Sequence, residues 1–170
     1  MTEPKPPVAT MPEPTAPAVA YAVTDAVATL SLSNPLRLNA MTAAMWAAIP
    51  AHIATAEADP SVRVIVVRGT GHRAFSAGAD ISEFAASRTG AAAAHYNDLN
   101  HSAFAALEGA SKPTIAMIHG PCLGGGLAIV FYVLHQRTGA IVCAAAGVGV
   151  MGAGIYMQAS GAKLLRSKPQ

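Results

Sequence analysis

The last third of this 170-residue sequence contains no acidic residue. All nine Asp and Glu residues lie at or before Glu108, whereas five of the eleven Lys and Arg residues follow it. A solvated protein surface normally carries both signs of charge, so this asymmetry is unusual for a soluble domain. It also means that no carboxylate after Glu108 can serve as a general acid or base.

Cysteine is scarce as well. Cys122 and Cys143 have neither the spacing of a metal-binding pair nor the number needed for a disulfide framework. We therefore expect reduced thiols in a cytoplasmic protein. The formal net charge of +2 gives no argument for nucleic acid as a partner. The N-terminus lacks a basic region followed by an apolar core, so it does not predict a secretory signal.

The composition that is present indicates a globular chain. Apolar residues make up 52% of the sequence and charged residues 12%. This composition excludes a disordered protein and a protein dominated by charged residues. Six of the twelve prolines lie in residues 1–17, which are predicted to form a disordered tail. Residues 18–170 are long enough for one domain with a hydrophobic core.

Strand-like and helix-like runs alternate along this domain, which is typical of an α/β fold with parallel strands. Pro50 lies inside the first predicted helix, where it should cost roughly 3 kcal/mol or bend the helix. In chain order the predicted elements are a hairpin over residues 18–33, a helix from the N-cap Thr42 to about Ala58, a strand over Val62–Arg68, a helix over about Ala91–Glu108, a strand within Lys112–Gly120 and a helix from Gly124 to about His135.

Two glycine-containing loops each follow a buried strand. They are "FSAGADI" (Phe75–Ile81) and "HGPCLGGGLA" (His119–Ala128), and each opens a helical segment. Backbone N–H groups at a helix start have no partner within the helix and carry a partial positive charge. Two such loops facing one another could direct two N–H groups at one oxygen, as in an oxyanion hole. A single loop of this kind is more often tight packing, and neither has a P-loop or dinucleotide-binding pattern.

Three segments, "NPLRLNAM", "DPSVRVIVVRGTGHRAFSAGADISEF" and "SKPTIAMIHGPCLGGGLAI", together resemble the crotonase superfamily of enoyl-CoA hydratases and isomerases. The resemblance runs from about Val19 to Ile129, in family order and spacing. It implies an α/β fold of the ClpP/crotonase type, a spiral of ββα units, here incomplete at its C-terminal end. It further implies a lyase or isomerase of fatty acid metabolism that assembles as a homotrimer or hexamer. Its substrate would be an acyl-CoA, with coenzyme A as part of the substrate and no permanently bound cofactor or metal.

The same resemblance assigns roles to individual positions. The backbone N–H groups of Ala79 and Gly125 would form the oxyanion hole. Asp80 is expected to cap the helical turn that follows it rather than to act in catalysis. The positions that would contact coenzyme A are Arg37, Leu38, Ala77, Ala79, Asp80 and Ile81.

The two glutamates of the family's hydratases are absent. Their positions correspond to Ala128 and approximately to Cys143, and the segment from about residue 130 diverges from the family pattern. Two explanations remain open for this divergence. The chain could be a family member with other thioester chemistry or with acyl-CoA binding alone, or its reading frame could be altered after about Ile129.

A membrane-associated protein is the alternative from another class. Residues 113–136 and 138–162 contain no charged side chain, and each stretch is long enough to span a bilayer. The glycine-rich loop inside the first stretch disfavours a membrane helix, so we expect no membrane partner.

The remaining candidate side chains are expected to have ordinary roles. His95 and His101 are six residues apart and do not share a helix face, so they predict no metal site. His119 is expected to hydrogen-bond to backbone, and Glu83 is expected on a solvated helix face.

Overall fold

The computed structural model describes residues 16–83, 90–136 and 140–144. Within these ranges strands and helices alternate, as the hydrophobic pattern predicts. The predicted tail lies almost wholly outside the described residues, and so does the divergent segment after residue 144. The bounds are β1 Ala18–Thr24, β2 Val27–Ser33, α1 Ala43–Ala58, β3 Val64–Gly69, α2 Gly90–Gly109, β4 Thr114–Ile118, α3 Gly125–Leu134 and β5 Ala140–Ala144, with 3-10 turns at Pro35–Arg37 and Ile81–Glu83.

One sheet contains all five of these strands, in the spatial order β1-β2-β3-β4-β5. β1 and β2 are antiparallel, and each later strand is added parallel to the one before it. A parallel neighbour requires a crossover connection, and here α1, α2 and α3 supply the three crossovers. The predicted α/β architecture with parallel strands is therefore confirmed.

The β1–β2 hairpin turns at Asp25 and Ala26, which both have positive φ, at 50° and 64°. Two consecutive left-handed residues match the right-handed twist of the flanking strands. Both strands and the turn lie within residues 18–33, where the sequence predicts a hairpin.

Helix α1 begins as its sequence predicts. The Thr42 hydroxyl accepts the N–H of Met45 at 3.2 Å, which satisfies one of the unpaired donors of the first turn. One apolar face of the helix is buried, with Trp46 and Ile49 each only 1% exposed. Pro50 lies inside the helix, which continues without interruption to Ala58.

The parallel strands all end at one edge of the sheet, so the segments that follow them lie side by side. We call these the first loop (residues 34–42, after β2), the second loop (residues 70–80, after β3) and the third loop (residues 119–124, after β4). In open α/β sheets this edge is where ligands bind. Within the described part of the chain, no helix is both long enough and apolar enough to cross a membrane.

Candidate functional site

The second loop is joined to the first loop by backbone hydrogen bonds. Met41 donates its N–H to the carbonyl of Gly78 at 2.7 Å, and Asp80 donates its N–H to the carbonyl of Met41 at 2.9 Å. Ala79, between the two bonded residues, therefore occupies a position set by the first loop.

The opposite side of the second loop is joined to the third loop. Phe75 and Ser76 both donate their N–H groups to the carbonyl of Pro121, and Leu123 donates to the carbonyl of Ser76 at 3.0 Å. The three loops thus form one hydrogen-bonded unit at the carboxyl edge of the sheet.

A buried asparagine strengthens this unit from within. Asn39 donates its amide hydrogens to the carbonyls of Thr70 and Ala74 at 3.0 and 2.8 Å. Its amide oxygen accepts the backbone N–H of Asn34 and the Thr70 hydroxyl, both at 3.1 Å. The side chain uses its full donor capacity between two loops, which is the arrangement expected of a rigid scaffold.

Three adjacent glycines are needed at the start of α3 for different reasons. Gly124 has a φ of +49°, a conformation that side chains rarely adopt. A Cβ at Gly125 would lie 2.7 Å from the Trp46 indole carbon Cζ2, and a Cβ at Gly126 would lie 2.8 Å from the Cβ of Ser76. The glycine run therefore permits a tight turn and two close approaches.

These constraints bring Ala79 and Gly125 to one cavity of about 270 Å³. A Cβ at Gly125 would lie 3.8 Å from the Ala79 nitrogen, and a Cβ at Gly78 would lie 3.3 Å from the Gly125 nitrogen. Within the described residues, neither the Ala79 nor the Gly125 N–H donates a hydrogen bond. The two backbone groups singled out in the sequence are thus close together, and their N–H groups have no protein acceptor there.

Most of the remaining cavity wall is one face of α2, which the sequence analysis did not assign to the site. Its side chains recur at spacings of three and four residues, the periodicity of a helix face. The spacing indicates from the sequence that these side chains share one helix face. It does not indicate that this face lines the cavity. Among the described residues, the lining is Trp46, Ala79, Tyr96, Asn97, Asn100, His101, Phe104 and Gly125.

The aromatic part of this wall is held together by specific contacts. Trp46 donates its indole N–H to the Tyr96 hydroxyl at 3.0 Å, and both residues are buried. The Phe104 ring meets Trp46 edge to face at 5.4 Å and stacks on Tyr132 at 4.5 Å. Aromatic pairs in these geometries add stability beyond their buried area, so the wall is preorganised.

Asp80 has a structural role beside the cavity. Its carboxylate accepts the backbone N–H of Ser82 at 2.9 Å and the Ser82 hydroxyl at 2.7 Å, and it also contacts the side chains of Asn34 and Arg37. Burial alone would raise the pKa of Asp80, but the hydrogen bonds and the Arg37 charge outweigh it, and the pKa is lowered. The predicted cap of the turn at Ile81–Glu83 is confirmed.

The other positions assigned to coenzyme A lie on the first and second loops and in the turn that follows. Ala77 donates its N–H to the carbonyl of Leu38 at 2.9 Å, so these two of the assigned positions are adjacent in the structure. The Arg37 side chain is 51% exposed although it pairs with Asp80, and Ile81 is 73% exposed.

The two positions that the resemblance assigns to the family's glutamates lie on different elements. Ala128 is half-buried in the first turn of α3, three residues after Gly125. Cys143 lies in β5, where it pairs with Met117 of β4. The other cysteine, Cys122, is a free thiol in the third loop whose burial raises its pKa to about 11, so it is not a nucleophilic thiolate at neutral pH.

His119 contacts the backbone of Met117 and Gly71, as expected for a loop histidine. The prediction for Glu83 is wrong, because its carboxylate accepts the N–H of Ala43 at 2.7 Å. Ala43 is the first residue of α1, where a negative charge stabilises the helix start.

The sequence model of the enoyl-CoA hydratase/isomerase family matches residues 27–145, well over half of the chain. The chain belongs to this family. The match continues beyond Ile129, the predicted end of the resemblance, and includes β5.

Solved structures of similar proteins have the same fold as this enoyl-CoA hydratase/isomerase family member. An enoyl-CoA hydratase/carnithine racemase from Magnetospirillum magneticum has a TM-score of 0.64 at 36% identity, over 67% of this chain and 43% of that chain. An enoyl-CoA hydratase/isomerase family protein from Hyphomonas neptunium has a TM-score of 0.69 at 35% identity, over 81% and 52% of the two chains. The predicted crotonase-like fold is confirmed.

One relative is a much longer protein, and only a small part of it matches this chain. The fatty acid oxidation complex subunit alpha of Shewanella amazonensis is 37% identical over 114 residues, which are 66% of this chain and 16% of that protein. This family member therefore spans about half or less of the length of these relatives.

Proposed function

We propose that this protein binds acyl-CoA thioesters and stabilises a thioester enolate with the backbone N–H groups of Ala79 and Gly125. The observation that carries the proposal is the pair of N–H groups at one cavity, unpaired within the described residues. Family membership supports the substrate class, since relatives are enoyl-CoA hydratases/isomerases.

The chemical reason is the charge that develops on the thioester oxygen. When a proton leaves the carbon next to the carbonyl, negative charge moves onto that oxygen. Two fixed donors stabilise this charge without reorganisation, and losing one such donor typically costs about 3 to 4 kcal/mol of barrier. The hydrogen bonds on both sides of Ala79 and the close packing at Gly125 hold the donors in place.

Acetoacetyl-CoA tests binding and enolate stabilisation together. Calorimetry should detect binding, and free coenzyme A should compete with it. The bound acetoacetyl group should enolise at least tenfold more readily than in free solution, which the near-ultraviolet absorbance of its conjugated enolate reports. An absence of binding at millimolar ligand would contradict the proposal.

An acyl-CoA-binding protein without turnover is the second candidate. It is favoured by the described cavity lining, which contains neither Asp nor Glu, and by Ala128 at a family glutamate position. Hydration of an enoyl thioester needs a group that activates water and a group that protonates carbon. Loss of the conjugated enoyl absorbance measures hydration, and robust turnover by the pure protein would exclude this second candidate.

A further inference from the structure

Among the described lining residues of the cavity, one carries an imidazole. His101 of α2 lines the space that Ala79 and Gly125 share, and it is exposed to solvent rather than enclosed in the wall. Within the described residues, His101 makes neither a hydrogen bond nor an ion pair. Its ring nitrogens are therefore available to a ligand in the cavity.

The other described lining side chains are not suited to take a proton from a ligand. Tyr96 is buried, and its hydroxyl accepts the Trp46 indole N–H at 3.0 Å, so it belongs to the wall. The remaining lining side chains are carboxamides, an aromatic ring and groups without a polar atom. An imidazole takes up and releases a proton near neutral pH, which makes histidine the most frequent general acid–base group. His101 is thus the proton-transfer group that the described lining offers.

Different elements place His101 and the two N–H groups around this one cavity. Ala79 and Gly125 follow from loops at the carboxyl edge of the sheet, whereas His101 lies on the crossover helix α2 between β3 and β4. The Trp46–Tyr96 hydrogen bond fixes α2 against α1 beside the cavity. A thioester oxygen bound by the two N–H groups therefore has its neighbouring carbon in the space that His101 lines.

We propose that His101 is the catalytic base that removes a proton from the carbon next to the thioester carbonyl, an inference that rests on the function proposed above. The C–H bond breaks, and its proton forms an N–H bond on the imidazole. The electron pair moves through the carbonyl onto the oxygen held by the Ala79 and Gly125 N–H groups. The exposed imidazolium exchanges its proton with water, and return of a solvent proton to the carbon restores the thioester. This exchange needs a single proton-transfer group, whereas hydration needs two.

Deuterium incorporation into butanoyl-CoA in heavy water tests this step on the full chain, with mass spectrometry as the readout. Wild-type protein should label the carbon next to the carbonyl. His101→Ala should lower the labelling rate at saturating ligand by at least about 100-fold, the usual contribution of general acid–base catalysis, with a similar dissociation constant for butanoyl-CoA. Imidazole added to this variant should restore part of the rate. His95→Ala, at an exposed position on the same helix and outside the described lining, should keep the wild-type rate.

Imidazole rescue separates a chemical role from a structural one, because free imidazole replaces the base but not a packing contact. A labelling rate that persists in His101→Ala would overturn the assignment, and so would a loss that added imidazole does not restore. Wild-type protein that binds acetoacetyl-CoA and stabilises its enolate, but does not label butanoyl-CoA, would overturn the role of His101 alone. If acetoacetyl-CoA does not bind, the function proposed above fails as well.

Discussion

At the residue scale, Gly125 combines two requirements in one position. It is the first residue of α3, so its N–H has no partner within the helix. Its missing side chain also allows Trp46 to approach, since a Cβ would lie 2.7 Å from the indole. A substitution therefore tests packing and hydrogen bonding together unless the two effects are separated.

A matched pair of variants separates them. In a Trp46→Phe background, which removes the indole carbon concerned, Gly125→Ala keeps the N–H and Gly125→Pro removes it. Proline is well tolerated at the first position of a helix, so the helix should still form. We expect the enolisation constant of bound acetoacetyl-CoA to be about 100-fold lower in the proline variant than in the alanine variant. Equal constants would argue against a role for this N–H.

At the element scale, α1 and α2 form the scaffold of the cavity wall. Trp46 of α1 and Tyr96 of α2 are joined by a hydrogen bond between buried side chains, and Phe104 completes the contact. Helix α1 forms this wall in spite of Pro50, which cannot donate to the carbonyl four residues earlier. That carbonyl belongs to Trp46, so the missing bond lies in the turn that carries the indole.

Replacing Pro50 should therefore stabilise the protein. Pro50→Ala restores the helical donor, and we expect the free energy of unfolding to rise by about 1 to 2 kcal/mol, less than the full cost of a helix-interior proline because some buried ring surface is lost. Urea denaturation measures this change. Ala54→Gly, at an exposed interior position of the same helix, is the control and should lower the free energy of unfolding by about 1 kcal/mol. A decrease for Pro50→Ala would show that the helix depends on the proline.

At the scale of the whole molecule, three loops from distant parts of the sequence meet at the carboxyl edge of the sheet. His119 begins the third loop directly after β4. Burial lowers its pKa, and the neighbouring charges of Arg68 and His72 lower it further. The folded protein therefore binds fewer protons at His119 than the unfolded chain does.

This shift predicts how stability depends on pH. A depressed histidine pKa contributes stability that is fully present above the ordinary value of about 6.5 and is lost as the pH falls through the folded value. Urea midpoints should accordingly decrease between pH 7 and pH 5, and His119→Gln should decrease less than wild type. Asp80→Asn should keep the wild-type slope in this range, because a lowered aspartate pKa acts only below about pH 4. Identical slopes for His119→Gln and wild type would contradict the assignment.

Much of the fold could be predicted from the sequence because its signals are local. The apolar spacing in α1, the cap at Thr42 and the turn at Asp25 each depend on residues within a few positions of one another. The family resemblance also indicated Ala79 and Gly125, although only as candidates.

The sequence by itself determined the order and type of the elements, the absence of any carboxylate after Glu108, and the family. The tertiary structure alone decided which face of α2 meets the cavity, and so brought His101 into the site. It also decided that Glu83 binds the start of α1, forty residues earlier in the chain. The physical reason is that helix rotation and long-range pairing follow from how whole elements pack, which no short window of sequence specifies.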